Sequence, residues 1–111
     1  MLYFVEAWNC KDSWKELPQA DRQQYMGQVG QHIGGLLERG IGLLTWSENN
    51  ATESHVAGYD YFAVWTAPNQ ELADEFTALI EGAGWYQYFD QVNLLGAEDS
   101  HTNIIGKMIA T

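Results

Sequence analysis

The sequence is short of several things at once, and each shortage closes off a class of protein. It has a single cysteine, Cys10. One thiol cannot close an internal disulfide, and nothing beside it completes a zinc-type spacing. Five basic residues stand against fifteen acidic ones, for a net charge of −10. Phosphate backbones and anionic lipids are held by clustered Lys and Arg. Here Lys11, Lys15, Arg22, Arg39 and Lys107 are scattered, so neither nucleic acid nor a membrane is an expected partner. No apolar run approaches the ~20 residues of a membrane span. The N-terminus lacks a basic leader and a small-residue cleavage site, which makes the cytoplasm the expected compartment. Gly-rich phosphate loops, nucleophile elbows, His-Glu-x-x-His and Cys-x-x-Cys are missing too, so no cofactor and no metal ligand set is expected. Asn50-Ala51-Thr52 has the pattern of a glycosylation acceptor, which carries no meaning without secretion.

What is abundant is large rings. Aromatic residues make up 14% of the 111 positions, with five Trp and six Tyr. Rings bury much area at low entropic cost and serve cores and interfaces. So many in one small domain point to more burial than a monomer supplies by itself.

The hydrophobic pattern gives the order of elements. Residues 2–9 read as a strand of Val and aromatics, apolar on both faces but for Glu6. Asp12 is placed to cap a short turn through Trp14 and Leu17. A helix follows over residues 19–39, with Tyr25, Met26, Val29, Ile33, Leu36 and Leu37 at the spacing of an apolar stripe, and Gly40 stops it. Residues 41–47 and 56–66 read as two strands of a hairpin around the polar stretch 49–54. Asn69 is the expected N-cap of a second helix carrying Leu72, Phe76, Leu79 and Ile80. A turn or short helix at 85–89 and a strand at 90–95 complete the series. The tail from Glu98 is polar to Asn103 and then carries Ile104, Ile105, Met108 and Ile109. These need burial, on the sheet edge or on a partner.

The order β-α-β-β-α-β predicts a single α+β domain over residues 1–111, of the ferredoxin-like type. Its four-stranded antiparallel sheet would have both helices on one face. The other face would be bare, yet the strands are apolar on both sides, and two sheets packed face to face about a two-fold axis solve this. The expectation is therefore a homodimer.

At this point the stretches Tyr59-Asp-Tyr-Phe-Ala-Val-Trp65 and Gly84-Trp-Tyr-Gln-Tyr-Phe-Asp-Gln-Val-Asn93 add a resemblance. With the order of elements, they make the chain similar to the dimeric α/β-barrel superfamily, and to a small uncharacterised bacterial family within it. The resemblance implies a ligand cavity between the sheet and the helices. Relatives of this kind include cofactor-free monooxygenases of polycyclic phenols, muconolactone isomerases, haem-binding proteins and stress-responsive dimers. It transfers no catalytic residue.

The residues themselves nominate a few candidates. Glu6 sits mid-strand in the sheet centre, where burial raises a carboxyl pKa and suits it to acid–base work. Its plainer role is to hydrogen-bond a neighbouring strand. His32 flanks the apolar stripe and could face a cavity, moving protons or serving as an axial haem ligand. Its plainer role is a boundary residue. Gly27, Gly30, Gly34 and Gly35 each cost helix stability, up to ~1 kcal/mol against Ala, and imply either close packing or a cavity wall. Trp8, Trp46, Asp60, Tyr61, Trp65, Trp85, Tyr88 and Asn93 set polar groups among rings, the make-up of a small-molecule pocket or of a dimer interface. Two functions stay open. One is a cofactor-independent enzyme on a small apolar or aromatic metabolite, with Glu6 or His32 moving a proton. The other is a non-catalytic ligand-binding or structural dimer, haem binding being a minor branch.

Overall fold

The fold is described from a computed structural model and covers residues 1–50 and 52–111. Ala51 lies outside the described residues, and with it the middle of the Asn50–Thr52 triplet and part of the turn expected at 49–54. The elements are β1 (Leu2–Cys10), α1 (Asp12–Lys15), α2 (Gln19–Glu38), β2 (Gly42–Glu48), β3 (Tyr61–Ala67), α3 (Gln70–Gly82), α4 (Trp85–Tyr88), β4 (Phe89–Ala97) and α5 (His101–Ile109). The strands form one four-stranded sheet in the order β2-β3-β1-β4, antiparallel at every pairing. This is the expected α+β ferredoxin-like arrangement.

Alternation along the central strands sorts the side chains. Phe4, Glu6 and Trp8 of β1 and Ala63, Trp65 and Ala67 of β3 are buried under the helices. Phe76 of α3 packs edge-on against Phe4 and beside Trp65, with centroids 5.4 and 4.8 Å away. At one end of the sheet Trp14 of α1, Tyr25 of α2, Tyr88 of α4 and Phe89 form a second ring cluster, with centroids 4.9–5.8 Å apart for Trp14 against the other three. The Tyr25 hydroxyl donates to the Ala83 carbonyl at 2.8 Å and ties α2 to the end of α3. The Asn69 side chain accepts from the Leu72 amide, the N-cap read from the sequence. Gly84, at φ 75°, makes the left-handed link between α3 and α4.

Three boundaries differ from the sequence reading, each for a local reason. Asp12 is the first residue of α1 rather than its cap; Lys11 holds that place without a side-chain bond. The third strand begins at Tyr61, not at residue 56. The Asn49 amide donates to the carbonyls of Ala57 and Tyr59. The Asn9 side chain donates to the Gly58 carbonyl and accepts the Asp60 amide. Residues 57–60 are therefore held chiefly by these side chains, with one backbone bond from the Asn49 amide to the Asp60 carbonyl, rather than by a full strand ladder. The tail is helical: Ser100 caps α5 through the Asn103 amide, and Asp99 accepts from Asn103 and pairs with Lys107. It does not dock on its own sheet edge, as the tail was expected to do in one of two ways. All of its residues are exposed in the single chain.

The face of the sheet away from the helices carries Tyr3, Val5 and Ala7, Phe62 and Val64, and Val92 and Leu94, with Thr66 of β3 and Thr45 and Ser47 of β2 as its polar side. Leu94 is 71% exposed. Among the described residues no helix is long and apolar enough to cross a membrane.

Candidate functional site

The helix-side face of the sheet holds the feature richest in chemistry. Glu6 is 2% exposed, the only buried charged side chain among the described residues. Its Oε1 accepts the Trp65 indole N–H at 2.6 Å, and its Oε2 accepts the Gln91 amide at 2.7 Å. The register explains both bonds: Ala63, beside Trp65, lies opposite Glu6 on one flank, and Asn93, two residues from Gln91, lies opposite it on the other. Gln91 also accepts from the Trp85 indole and donates to Asn93, which donates to the Tyr86 hydroxyl. A polar chain thus runs from the buried carboxylate to the surface. Burial pushes the Glu6 pKa above its ordinary value, against the opposing pull of the Trp65 and Gln91 donors. Both partners can only donate here, so they match the ionised form while the surroundings resist it.

Four tryptophans frame this carboxylate. Trp46 contacts Trp8, Trp65 and Trp85 with centroids 5.1, 6.2 and 6.4 Å away, and Trp8 meets Trp85 at 6.0 Å. These pairs are edge-to-face, so the rings fill the space between them. Tyr61 packs beside Trp8 at 6.1 Å. Trp46 reaches the cluster because of a bulge. Leu43 pairs with Trp65 and Trp46 with Ala63, with a register shift between Leu43 and Thr45. In an unbroken strand, residues 43 and 46 would point to opposite faces; here both turn toward α2.

Beside the cluster a groove of about 470 Å³ opens between α2 and the β2 edge, lined by Met26, Val29, Gly30, Ile33, Leu43, Trp46 and Trp65. Its walls carry no titratable group. Trp46 remains 45% exposed there, because α2 stands off from the sheet edge. The glycines of α2 do not let that helix pack closely, one of the two roles open to them. A Cβ at Gly27, Gly30, Gly34 or Gly35 would meet nothing within 4 Å. Gly30 is a groove wall, the other role.

The remaining candidates are placed elsewhere. His32 is exposed in a separate surface groove between α2 and α3, with Glu75, Ala78, Leu79, Gly82 and Ala83. Glu75 there is paired with Arg39. The structure does not bring His32 and Glu6 together. A haem held by His32 would lie in that open channel beside the Glu75 carboxylate, and these residues do not fit it. Asp60 is exposed at the start of the hairpin strand, and Tyr88 belongs to the Trp14 cluster. Among the described residues no three His, Cys, Asp or Glu side chains converge to hold a metal ion. Gln91 and Tyr86 were not singled out from the sequence. The one signal for Gln91 is that it shares a strand face with Asn93.

This fold and cluster define a ferredoxin-like α+β domain with a ring-lined groove under its first long helix. The chain belongs to the DUF6616 family, a family of unknown function, whose model matches residues 1–111. No curated protein matches it in sequence. Among solved structures it is similar to At3g17210 from Arabidopsis thaliana, with a TM-score of 0.62 at 12% identity, covering 90% of this chain and 97% of that one. It is also similar to TA0507, provisionally described as a chlorite dismutase, with a TM-score of 0.64 at 16% identity. That match covers 96% of this chain and 47% of that one. Likeness at such identities speaks for the fold alone.

Proposed function

We propose that this chain is a small-molecule-binding homodimer of the dimeric α/β-barrel type, taking a small apolar or aromatic ligand in the groove between α2 and the β2 edge. The observation that carries the reading is the exposed indole of Trp46 on an otherwise apolar groove wall. A pocket of several hundred Å³ with apolar and aromatic lining is the usual form of a small-ligand site. Homodimerisation through the bare sheet face is supported by the apolar row from Tyr3 to Leu94.

The test is tryptophan fluorescence during titration with a panel of small aromatic compounds. Binding in this groove perturbs Trp46 and Trp65 directly. Trp46→Ala is expected to weaken the best ligand by about tenfold, the loss of one ring contact plus its buried area. Equal affinity of the wild-type and Trp46→Ala proteins would remove the groove from consideration.

A catalytic reading is favoured by one observation, the buried Glu6 directly behind Trp65. A carboxylate whose pKa is raised by burial is a stronger base than one in water. In this reading Glu6 takes a proton from a ligand that reaches past the indole. Once a substrate is found, Glu6→Gln should abolish turnover while leaving ligand affinity within a few-fold. Full turnover in Glu6→Gln would remove Glu6 as the base.

A further inference from the structure

We propose that α5 is an exchanged arm, which packs its apolar face on a second copy of this chain and closes the dimer that the bare sheet face begins. The inference rests on the dimer reading above and adds to it which segment crosses.

The first observation is that α5 has no packing of its own. Ile104, Ile105, Met108 and Ile109 share one face at i, i+1, i+4 and i+5 spacing, and they are 44–81% exposed. A helix shorter than ~12–15 residues is marginal in water, and this one has nine. The Ser100 cap contributes only about 1 kcal/mol. A helix of this length needs tertiary contact to persist.

The second is direction. The chain has a radius of gyration of 16.0 Å and extends 51 × 37 × 20 Å. A compact domain of this length has a radius near 13 Å. The chain therefore reaches outward rather than folding back, and α5 leaves from the end of β4, the edge strand that carries Val92 and Leu94 on the bare face. The arm starts only three residues, Glu98 to Ser100, beyond the edge strand of that bare face.

The third is area. The bare face spans about 19 Å across four strands at ~4.8 Å spacing and about 26 Å along them, or roughly 500 Å². A stable interface buries about 800 Å² on each partner. The face of a nine-residue helix adds about 14 by 10 Å, roughly 140 Å². Two-fold exchange uses that contact twice per copy, once given and once received. The total then comes close to what a stable dimer needs, and the sheet face alone falls short. A second copy is the occupant because it supplies the matching apolar surface by symmetry. Nothing on α5 beyond Lys107, already paired with Asp99, offers charge to a different partner.

The test is hydrogen exchange of the α5 amides in the full-length protein across a dilution series, with the dimer fraction followed by sedimentation. The expected result is protection of residues 104–109 that rises and falls with the dimer fraction. Leu94→Asp, a change on the bare face and outside α5, should strip that protection. The double variant Ile105→Glu/Met108→Glu, at exposed positions, should raise the dimer dissociation constant at least tenfold. Protection independent of concentration would mean that α5 docks on its own chain. A dimer with α5 unprotected throughout would sink the exchanged arm and leave the dimer standing. A monomer at every concentration would sink both.

Discussion

Glu6 shows how a single side chain can oppose the fold that holds it. Desolvation raises its pKa from the ordinary 4.5, and the Trp65 and Gln91 donors only partly offset this. The folded chain therefore binds a proton there more tightly than the unfolded chain does. Where the folded state holds more protons, stability falls as pH rises. This contribution is fully present below about pH 4.5, fades upward through the folded pKa and is flat beyond it. Glu6→Gln has no proton to lose. Its melting temperature, relative to wild type at each pH, should climb across the window that opens near 4.5. The slope is the readout rather than the absolute value, because the NH2 of the new amide must face one of the two donors and carries its own cost. Parallel pH–melting curves would mean that Glu6 titrates as it would in water. The type of this residue and its place in the central strand were legible in the sequence. Its partners were not. The Trp65 bond spans 59 positions and the Gln91 bond 85, and only the strand order brings them together.

At the level of elements, α2 carries the clearest prediction. Its four glycines sit in helical backbone with open space where a Cβ would go. Gly27→Ala, Gly34→Ala and Gly35→Ala should each stabilise the protein by about 0.5–1 kcal/mol, measured by chemical denaturation. A loss at any one would reveal a partner or ligand held close to that position. Gly30 is different because it walls the groove. Gly30→Leu should leave the melting temperature equal or higher, yet block aromatic ligands by filling the space beside Trp46. A Gly30→Leu protein that still binds them at full strength would place the site elsewhere. The helical stripe and the strands were readable because periodicity is local. The bulge at Leu43–Thr45 was not, since a bulge adds no distinctive residue type. Without it Trp46 would be assigned to the wrong face, and the groove would have no indole. The start of the hairpin strand at Tyr61 was hidden for a similar reason: it depends on Asn9, 49 positions from Gly58 in the chain.

The whole molecule adds a term that no pair of residues carries. A net charge of −10 on each chain means that two copies repel as they approach. The face proposed to join has Val5, Val64 and Leu94 at its centre, the uncharged Thr45 and Ser47 on its β2 side, and no ion pair on it among the described residues. The chain is only 20 Å thick along its short axis. At 0.01 M salt the screening length is about 30 Å, longer than that thickness, so charges on the outer surfaces act across the dimer; at 0.15 M it is about 8 Å and they do not. Dimerisation of this protein should therefore tighten by about tenfold or more between those two salt concentrations, as read by sedimentation equilibrium. It should tighten again as pH falls and carboxylates on the surface take up protons. An interface held by ion pairs behaves oppositely and loosens as salt is added. Salt titration thus separates two kinds of dimer that would have the same mass. A dissociation constant that rises with salt would place the contact on the charged helical side of the molecule, and the bare sheet face would lose its assigned role.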